Sequence, residues 1–581
     1  MIDAPGAAIT LPSWRVERIL SDENGFLVVD KPVGMPVHGG NENLAHSVVE
    51  RLGIWLLGQS RDKYLAVHQR LDQETSGLLF FVTDKEKNTA VARAMESHAI
   101  ARTYLAVVGS PRGAEPDGTA LSLLKDEGRI ELWLSHISGK STVSAHAPAR
   151  GRSKAKKGKN RTPAPAVNKS LASKRAITHY KVLRRSGDRA LVELRLETGR
   201  THQIRATLAH LGLPIVGDSL YGGQSAYRLM LHAHRLSGGP LQANFVLEAP
   251  EVFESALLNT ICFPEAFESA LSDAACLRAP LLTQTSVFRL VNGAGDGLPN
   301  LTVDAYGRFA TLNLYDTELV ERQKELAEAV LQLGFSGVYV KKRIRADLRK
   351  EDPQDLAPEG PTAGQSAPET YCVDELGLQA NIKLADGLST GLFVDMRDNR
   401  FRARSWAKAG SMLNLFCYSA SFSVSAALSG AKTTSVDLSS KALERGRENF
   451  VSNGLDPAEH RFFKEDAMKF LARSVRRGDK YNFIVLDPPS FATVGKGVFS
   501  VKNGYGQAAA DCLRLLAKGG RLLCVTNHTK TSLHALRKLL ETSGEKAGRK
   551  LRYVKSLAPG LDCPAHPQGP WPSKSVLVEV D

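Results

Sequence analysis

No two cysteines in this chain are spaced as a metal clip or a redox couple: seven are scattered over 581 residues, an odd number, with no CxxC pair. That excludes a disulfide framework and a cysteine zinc site, and fits a reducing compartment. No stretch approaches the roughly 18 consecutive apolar residues that a membrane span needs. The opening MIDAPGAAIT has no basic segment leading into an apolar one, so it does not read as a secretory signal. A cytoplasmic protein without a membrane partner is expected. Internal repeats are missing too. Histidines 202, 210, 232 and 234 have no carboxylate or cysteine beside them at ligand spacing, so no metal is expected there.

Acidic residues are absent where basic ones crowd. The net charge is +15, yet Arg150 to Arg175 alone holds ten Lys or Arg and no Asp or Glu. The rest of the chain is therefore only mildly basic. A run like this, rich in Ala, Ser and Pro, buries too little apolar surface to fold by itself and reads as a solvated loop. It can still draw in a polyanion by releasing counterions, and RNA is the partner it suggests.

The length exceeds what one hydrophobic core supports, so two or three domains are expected. Breaks fall at the basic segment, about 139–176, at a helical connector, 251–285, and at a Pro/Gly-rich stretch, Glu351 to Thr370, which reads as a flexible surface loop. In the first part, strand patterns at Leu78 to Thr83, Thr103 to Val108, Ile177 to Leu183 and Ala190 to Leu196 mix irregularly with helical ones at Lys85 to His98 and His202 to Leu211. That mixture suggests an α+β domain with the basic segment inserted in it. From Ser411 onward strands and helices alternate, beginning with strand Met412 to Cys417, as in an α/β doubly wound, Rossmann-like sheet that binds ligands at the strands' carboxyl ends.

In the first part Asp72 stands between Leu71 and the polar run Gln73 to Ser76, just ahead of a very apolar strand. A carboxylate so placed is partly desolvated and needs a partner, for which Arg205 in THQIR is a candidate. A structural ion pair would satisfy the same pattern. The motifs DKPVGMPVH (Asp30 to His38), HQRLDQETSG (His68 to Gly77), RTYLAVVG (Arg102 to Gly109), TGRTHQIRATLAHLGLPIVGDSLYGG from Thr198, and LHAHRL (Leu231 to Leu236) resemble, in order, the RluA-type pseudouridine synthases. The resemblance covers about 14–250. It implies that Asp72 is the nucleophile, that Tyr104 lies against a flipped uracil, and that Arg205 holds Asp72 ionised by a short salt bridge. Arg70 would fill the gap left in the RNA, with Arg200 and His202 as further RNA contacts. A base inside a stack is unreachable and has to be extruded, and a carboxylate nucleophile needs no cofactor. Two positions depart from the family: Gln69 stands where His usually precedes the motif arginine, and Thr207 where the following helix commonly carries His.

In the second part, a turn at Asn414, Phe416 and Tyr418 to Ser421 follows the first strand, and Asp437 ends the second, 23 residues past Asn414. Asp466 follows the third strand, and Asp487-Pro488-Pro489 closes the fourth. Each acid alone reads as a turn or cap residue; four strand ends in register read as a Rossmann-like cofactor site. FRLVNGAGDGLPNLTVDAYG (Phe288 to Gly307), DGLSTGLFVDMRDNR (Asp386 to Arg400), LNLFCYSASF, VLDPPSF and DCPAHP are similar to the large-subunit rRNA methyltransferases of the RlmI and RlmKL kind. The likeness implies a small α+β subdomain at 286–380 and an S-adenosylmethionine-dependent methyltransferase domain at 381–581. It places Asn414, Phe416, Tyr418, Ser419, Asp437, Asp466, Asp487 and Pro488 on the cofactor, has Asp395 and Arg397 close its pocket, and sets Asp487 at the target base. GAGDG at Gly293 to Gly297 reads as a turn. Ala420 and Ser421 replace the usual turn glycines. Asn527 occupies the place of the nucleophilic cysteine in members that make 5-methylcytosine, and Cys524 lies on the preceding strand. Nitrogen needs only positioning against a sulfonium methyl, which favours a purine ring nitrogen, guanine, as the target.

Together these readings describe a bifunctional large-subunit rRNA modification enzyme. An active synthase with a methyltransferase-like RNA platform, a 5-methylcytosine enzyme, and a non-catalytic RNA-binding factor are the alternatives.

Overall fold

A computed structural model describes residues 18–38, 47–62, 64–114, 119–137, 140–144, 173–260, 263–344, 353–357, 359–369, 371–489, 491–494, 497–500, 504–528, 530–565, 571 and 573–581. The chain divides into two compact units at Leu277/Arg278.

The first unit is built on strands β1 (Ile19–Glu23), β2 (Phe26–Lys31), β3 (Ser76–Val82), β4 (Ala101–Gly109), β5 (Glu127–Ile137), β6 (Lys140–Ser144), β7 (Lys174–Ser186), β8 (Arg189–Leu196), β9 (Leu231–Ser237) and β10 (Asn244–Val246). They form one sheet in the order β1-β2-β3-β9-β4-β8-β7-β5-β6, with β10 on β9. Only β3–β9 is parallel among these pairs. The all-apolar run Leu78 to Val82 is buried on both faces, because helices α1 (Val48–Gly58) and α2 (Asn88–Glu96) join the same core. Short α3 (Thr119–Leu123) and α4 (Gln203–His210) follow, the latter entered through His202 at φ +52. The connector is no bare linker. Its helices α5 (Val252–Leu258) and α6 (Phe263–Arg278) place Val252, Phe253, Leu257 and Cys276 in the synthase-side core, so this unit extends to Leu277 rather than ending near Pro250. Lys174 and Arg175, which composition assigns to the basic insertion, are in β7, where Arg175 pairs with Glu131. Residues 145–172 of that insertion lie outside the described residues.

The second unit opens with the sheet β11 (Val287–Asn292), β12 (Leu301–Tyr306), β13 (Phe309–Leu314), β14 (Gly337–Lys342) and β15 (Ala363–Gly364) in that order, with helices α7 (Thr317–Glu321), α8 (Gln323–Leu331) and α9 (Pro353–Leu356). GAGDG is a single 3-10 turn before β12, as its pattern suggested. Among the described residues of the 351–370 stretch, Leu356 and Ala357 are buried and β15 pairs with β14, so these are not the flexible surface loop that composition implied. A hairpin of β16 (Tyr371–Glu375) and β17 (Leu378–Ile382) leads to α10 (Arg397–Trp406).

The doubly wound region comprises β18 (Ser411–Leu415), α11 (Ser421–Ala427), β19 (Lys432–Asp437), α12 (Ser440–Ser452), β20 (Arg461–Lys464), α13 (Ala467–Arg477), β21 (Tyr481–Leu486), β22 (Phe491–Val494), β23 (Gly497–Ser500), α14 (Tyr505–Leu515), β24 (Leu516–Thr526), α15 (Leu533–Ala547), β25 (Leu551–Leu557) and β26 (Lys574–Val580). Its sheet runs β20-β19-β18-β21-β24-β26-β25. The first five strands are parallel, as the alternation implied; β26 is antiparallel to both β24 and β25, which pure alternation did not reveal. β18 stops at Leu415 instead of reaching Cys417, because Phe416 turns left-handed at φ +56.

Candidate active sites

In the first unit a cavity of about 430 Å3 opens between the loop before β3 and the start of α4, lined by Gln69, Arg70, Asp72, Tyr104, His202 and Arg205 among others. Asp72 is one-quarter exposed at its side chain, with Arg205 Nη1 at 3.8 Å and His202 Nε2 at 3.9 Å. The short salt bridge expected between Arg205 and Asp72 is instead made elsewhere. The Arg205 fork bonds bidentately to fully buried Asp218, Nε–Oδ2 2.7 Å and Nη2–Oδ1 2.8 Å, and lies 2.9 Å from Glu74. Burial opposes the Arg205 charge, but the Asp218 bond outweighs it and the pKa is raised. Asp72 is thus the loosest of three carboxylates around one guanidinium, the only one of them whose distance leaves it free to approach a ligand.

Tyr104, buried on β4, keeps its proton to high pH chiefly because it is desolvated. The amide of buried Gln69 bonds to its hydroxyl, and Gln69 Oε1 has no partner among the described residues. His202 is pushed down by burial, against the pull of Asp72, so its imidazole is neutral at pH 7. Arg70 and Arg200 are exposed at the cavity, Arg200 Nε donating to Arg175 O at 3.2 Å. His68 bonds Asn88 at 2.6 Å, and Thr207 is buried within α4.

Sequence reasoning missed the residues that hold the Asp72 turn. Lys31, fully buried, donates to Pro32 O (2.8 Å), Met35 O (2.8 Å) and Gln73 O (3.1 Å), and burial drives its pKa down to about 7. Gly34 N donates to Gln73 O and Gln73 Nε2 to Gly34 O, so the two turns lock together. A lysine set between Asp30 and Pro32 at the end of an otherwise apolar strand was the available signal, since such a charge, once buried, requires acceptors.

In the second unit the turn after β18 carries three non-glycine residues in left-handed backbone: Phe416 (φ +56), Tyr418 (φ +48) and Ala420 (φ +54). Each costs on the order of 1 kcal/mol or more. Tyr418 N donates to Asp437 Oδ2 at 2.9 Å and Ser439 N to Oδ1 at 2.9 Å, which aims the carboxylate at the strand ends while leaving lone pairs free. Asn414 is buried on β18 and donates to Ser423 Oγ at 3.0 Å. Ser419 bonds Gly391 O at 2.5 Å. Asp466 caps α13, accepting from Lys469 N at 3.0 Å. Asp487 and Pro488 follow directly on β21, and desolvation, helped by nearby Asp395, lifts Asp487 to about 7. Arg397 does not face a ligand: its guanidinium is bidentate to buried Asp562, at 2.6 and 2.9 Å. Asp395 instead lines a second cavity, of about 420 Å3, with Asn527 and Cys563. Cys524 is buried inside β24, its thiol raised to about 12 by desolvation, so it supplies no thiolate. No cluster of His, Cys, Asp or Glu among the described residues could hold a metal ion. Nor is any described helix long and apolar enough to cross a membrane.

An acid at the end of the second strand, a tight turn after the first and a carboxylate-proline pair after the fourth form the strand-end arrangement of a Rossmann-like cofactor site. The turn and its paired acid fit S-adenosylmethionine. Residues 291–567 match the S-adenosylmethionine-dependent methyltransferase family, and residues 25–210 match the RNA pseudouridylate synthase family. The chain belongs to these methyltransferases and carries an RNA pseudouridylate synthase domain ahead of the methyltransferase region. Among curated relatives, ribosomal RNA large subunit methyltransferase I of Klebsiella pneumoniae is 30% identical over 286 residues, 48% of this chain and 71% of the relative. The protein of that name from Escherichia coli is also 30% identical, over 48% and 72%. Among solved structures, SMU.776 complexed with SAH is 29% identical over 55% of this chain and 82% of that one, with a TM-score of 0.49. Human RNA pseudouridylate synthase domain containing 4 is 25% identical over 42% and 93%, with a TM-score of 0.32.

Proposed function

We propose that this chain modifies large-subunit rRNA, the 23S molecule, twice: it isomerises a uridine to pseudouridine through Asp72 and methylates guanine at a ring nitrogen. The carrying observation is Asp72 itself, half-held at 3.8 Å from Arg205 and set in one cavity with Tyr104. Arg205 is already neutralised by Asp218 and Glu74, so it orients Asp72 without closing over it. The neutral phenol of Tyr104 offers a flat apolar wall for an extruded uracil. Arg70 and Arg200, exposed at the rim, suit the RNA backbone.

For the second reaction, the cofactor supplies a sulfonium-bound methyl group. Asp437 takes the ribose hydroxyls and Asp466 lies toward the adenine side. Asp487 stands at the transfer end, where the target base would meet the methyl donor. Guanine is favoured by Asn527 at the cavity with no thiolate in reach: Cys524 is sealed in β24, and burial holds buried Cys563 protonated. A 5-methylcytosine reaction would need a cysteine nucleophile to activate carbon-5.

One observation favours a second reading, in which the second unit binds RNA without transferring methyl. Ala420 keeps a side chain in left-handed backbone at the cofactor turn, where glycine would be unstrained. Calorimetry with S-adenosylmethionine separates the two, since absence of binding at millimolar cofactor would eliminate transfer. Mass spectrometry of rRNA from a strain lacking the gene, before and after treatment with the protein, tests the whole assignment. A pseudouridine and a methylguanosine should both reappear.

A further inference from the structure

The cavity that holds Asp395 adjoins the strand ends of the doubly wound sheet without including the cofactor turn. Its lining includes none of the turn residues 416–421, nor Asp437, Asp466 or Asp487. Its floor is the β11–β14 sheet, which presents a polar network unusual for a sheet interior. Arg289 Nε lies 2.7 Å from Asp304 Oδ1, Asn313 Nδ2 donates to Asp304 Oδ2 at 3.2 Å, and Arg343 Nε donates to Asn313 Oδ1 at 2.8 Å. Arg343 Nη2 is tied to Leu388 O at 2.5 Å. Arg289 is matched by Asp304, whereas the hydrogen bonds of Arg343 go to neutral acceptors, Asn313 Oδ1 and Leu388 O. Such a cation in a cavity asks for an anion.

The opposite wall is the segment before α10. Phe393 is half exposed there, with its ring 5.3 Å from that of Tyr418 at the cofactor turn, and Asp395 follows two residues later. A large aromatic left half in solvent at the mouth of a polar cavity offers a stacking surface. The cavity is therefore bipolar, with a cationic floor, an aromatic edge and a carboxylate wall. At about 420 Å3 it is of the size that takes a small ligand.

We propose that this cavity receives the nucleotide to be methylated, its base on Phe393 with its N–H edge toward Asp395 and its phosphate toward Arg343. The assignment rests on the methyltransferase reading above and deepens it. Guanine suits it, since N1–H and the N2 amino group point the same way and match the two oxygens of one carboxylate. That orientation turns the ring nitrogen of the five-membered ring away from Asp395. Asn527, on the same cavity, lies beyond the end of β24.

The test uses the full chain with Arg343→Gln, Arg343→Lys and Asp395→Asn. Cofactor affinity is read by calorimetry, methyl incorporation into rRNA from a deletion strain gives kcat/KM, and pseudouridine formation in the same samples checks that the rest of the chain is intact. R343Q and D395N should each lower methylation at least tenfold, with S-adenosylmethionine affinity within twofold and pseudouridine formation unchanged. R343K, which keeps the charge, should recover part of the loss, and R343Q should reduce the salt slope of RNA binding by about one. Methylation unchanged in both variants would overturn the proposal, as would cofactor affinity falling in parallel, which would make the cavity part of the cofactor site. Wild-type protein that binds cofactor but methylates no RNA would instead sink the methyltransferase reading, and the proposal with it.

Discussion

Arg205 gives its two best hydrogen bonds to Asp218, at 2.7 and 2.8 Å, and only a 3.8 Å approach to Asp72. The buried partner fixes the guanidinium, and the one-quarter-exposed one is left reactive. Replacing Asp218 with Ala would strand a buried cation and should destabilise the first unit by about 3–5 kcal/mol. Denaturant unfolding of full-length protein measures this. A loss under 1 kcal/mol would mean that Glu74 suffices as counter-ion.

Asp72→Asn should abolish pseudouridine formation and leave RNA affinity within about twofold, because the nucleophile is removed while the cationic rim stays. Mass spectrometry of the product, with filter binding of the same RNA, gives the answer. Residual isomerisation would assign the chemistry to another group.

Asp487 provides a pH signature. Its carboxyl is raised to about 7 in the folded chain, so the folded state holds a proton that the unfolded state releases near 3.8. This contribution to stability is full below the ordinary carboxylate range and declines as pH rises toward 7. If ionised Asp487 is the form that supports transfer, methylation should rise with pH and level off above about 7. Asp487→Asn should remove that inflection as well as most of the rate; a flat profile in the wild type would show that Asp487 does not titrate in the rate-determining step.

Removing residues 150–172 takes away eight of the ten clustered cations while sparing Lys174 and Arg175 in β7. The log–log dependence of RNA affinity on salt should become shallower by roughly 0.7 for each phosphate that these cations neutralise. An unchanged slope would leave this segment without a role in binding.

Local sequence signals carried the strands and helices well. The apolar run Leu78 to Val82, the alternation of Ala190 to Leu196 and the β–α rhythm from Ser411 all became the elements their periodicity implied. What stayed hidden depends on partners distant in sequence. Asp218 lies in a Gly-Asp-Ser turn, where an acid normally reads as a turn residue, and only the fold brings it under Arg205. Arg397 looked available because its partner Asp562 is 165 residues away. β26 was missed because an antiparallel strand added after a parallel array has no crossover helix to announce it.

Ser144 at the end of β6 and Arg175 near the start of β7 both stand opposite Trp133 of β5, one on each side. Adjacent strands are about 4.8 Å apart, so the chain departs and returns through points about 10 Å from one another. Ser141 of β6 is in turn bonded through Oγ to Thr201 O at the cavity edge, at 2.6 Å. Both ends of the basic insertion are therefore anchored beside the Asp72 cleft. We expect RNA bound by the cations encoded between those ends to be held at high effective concentration near the cleft, so shortening the insertion should lower affinity more than shuffling its residues.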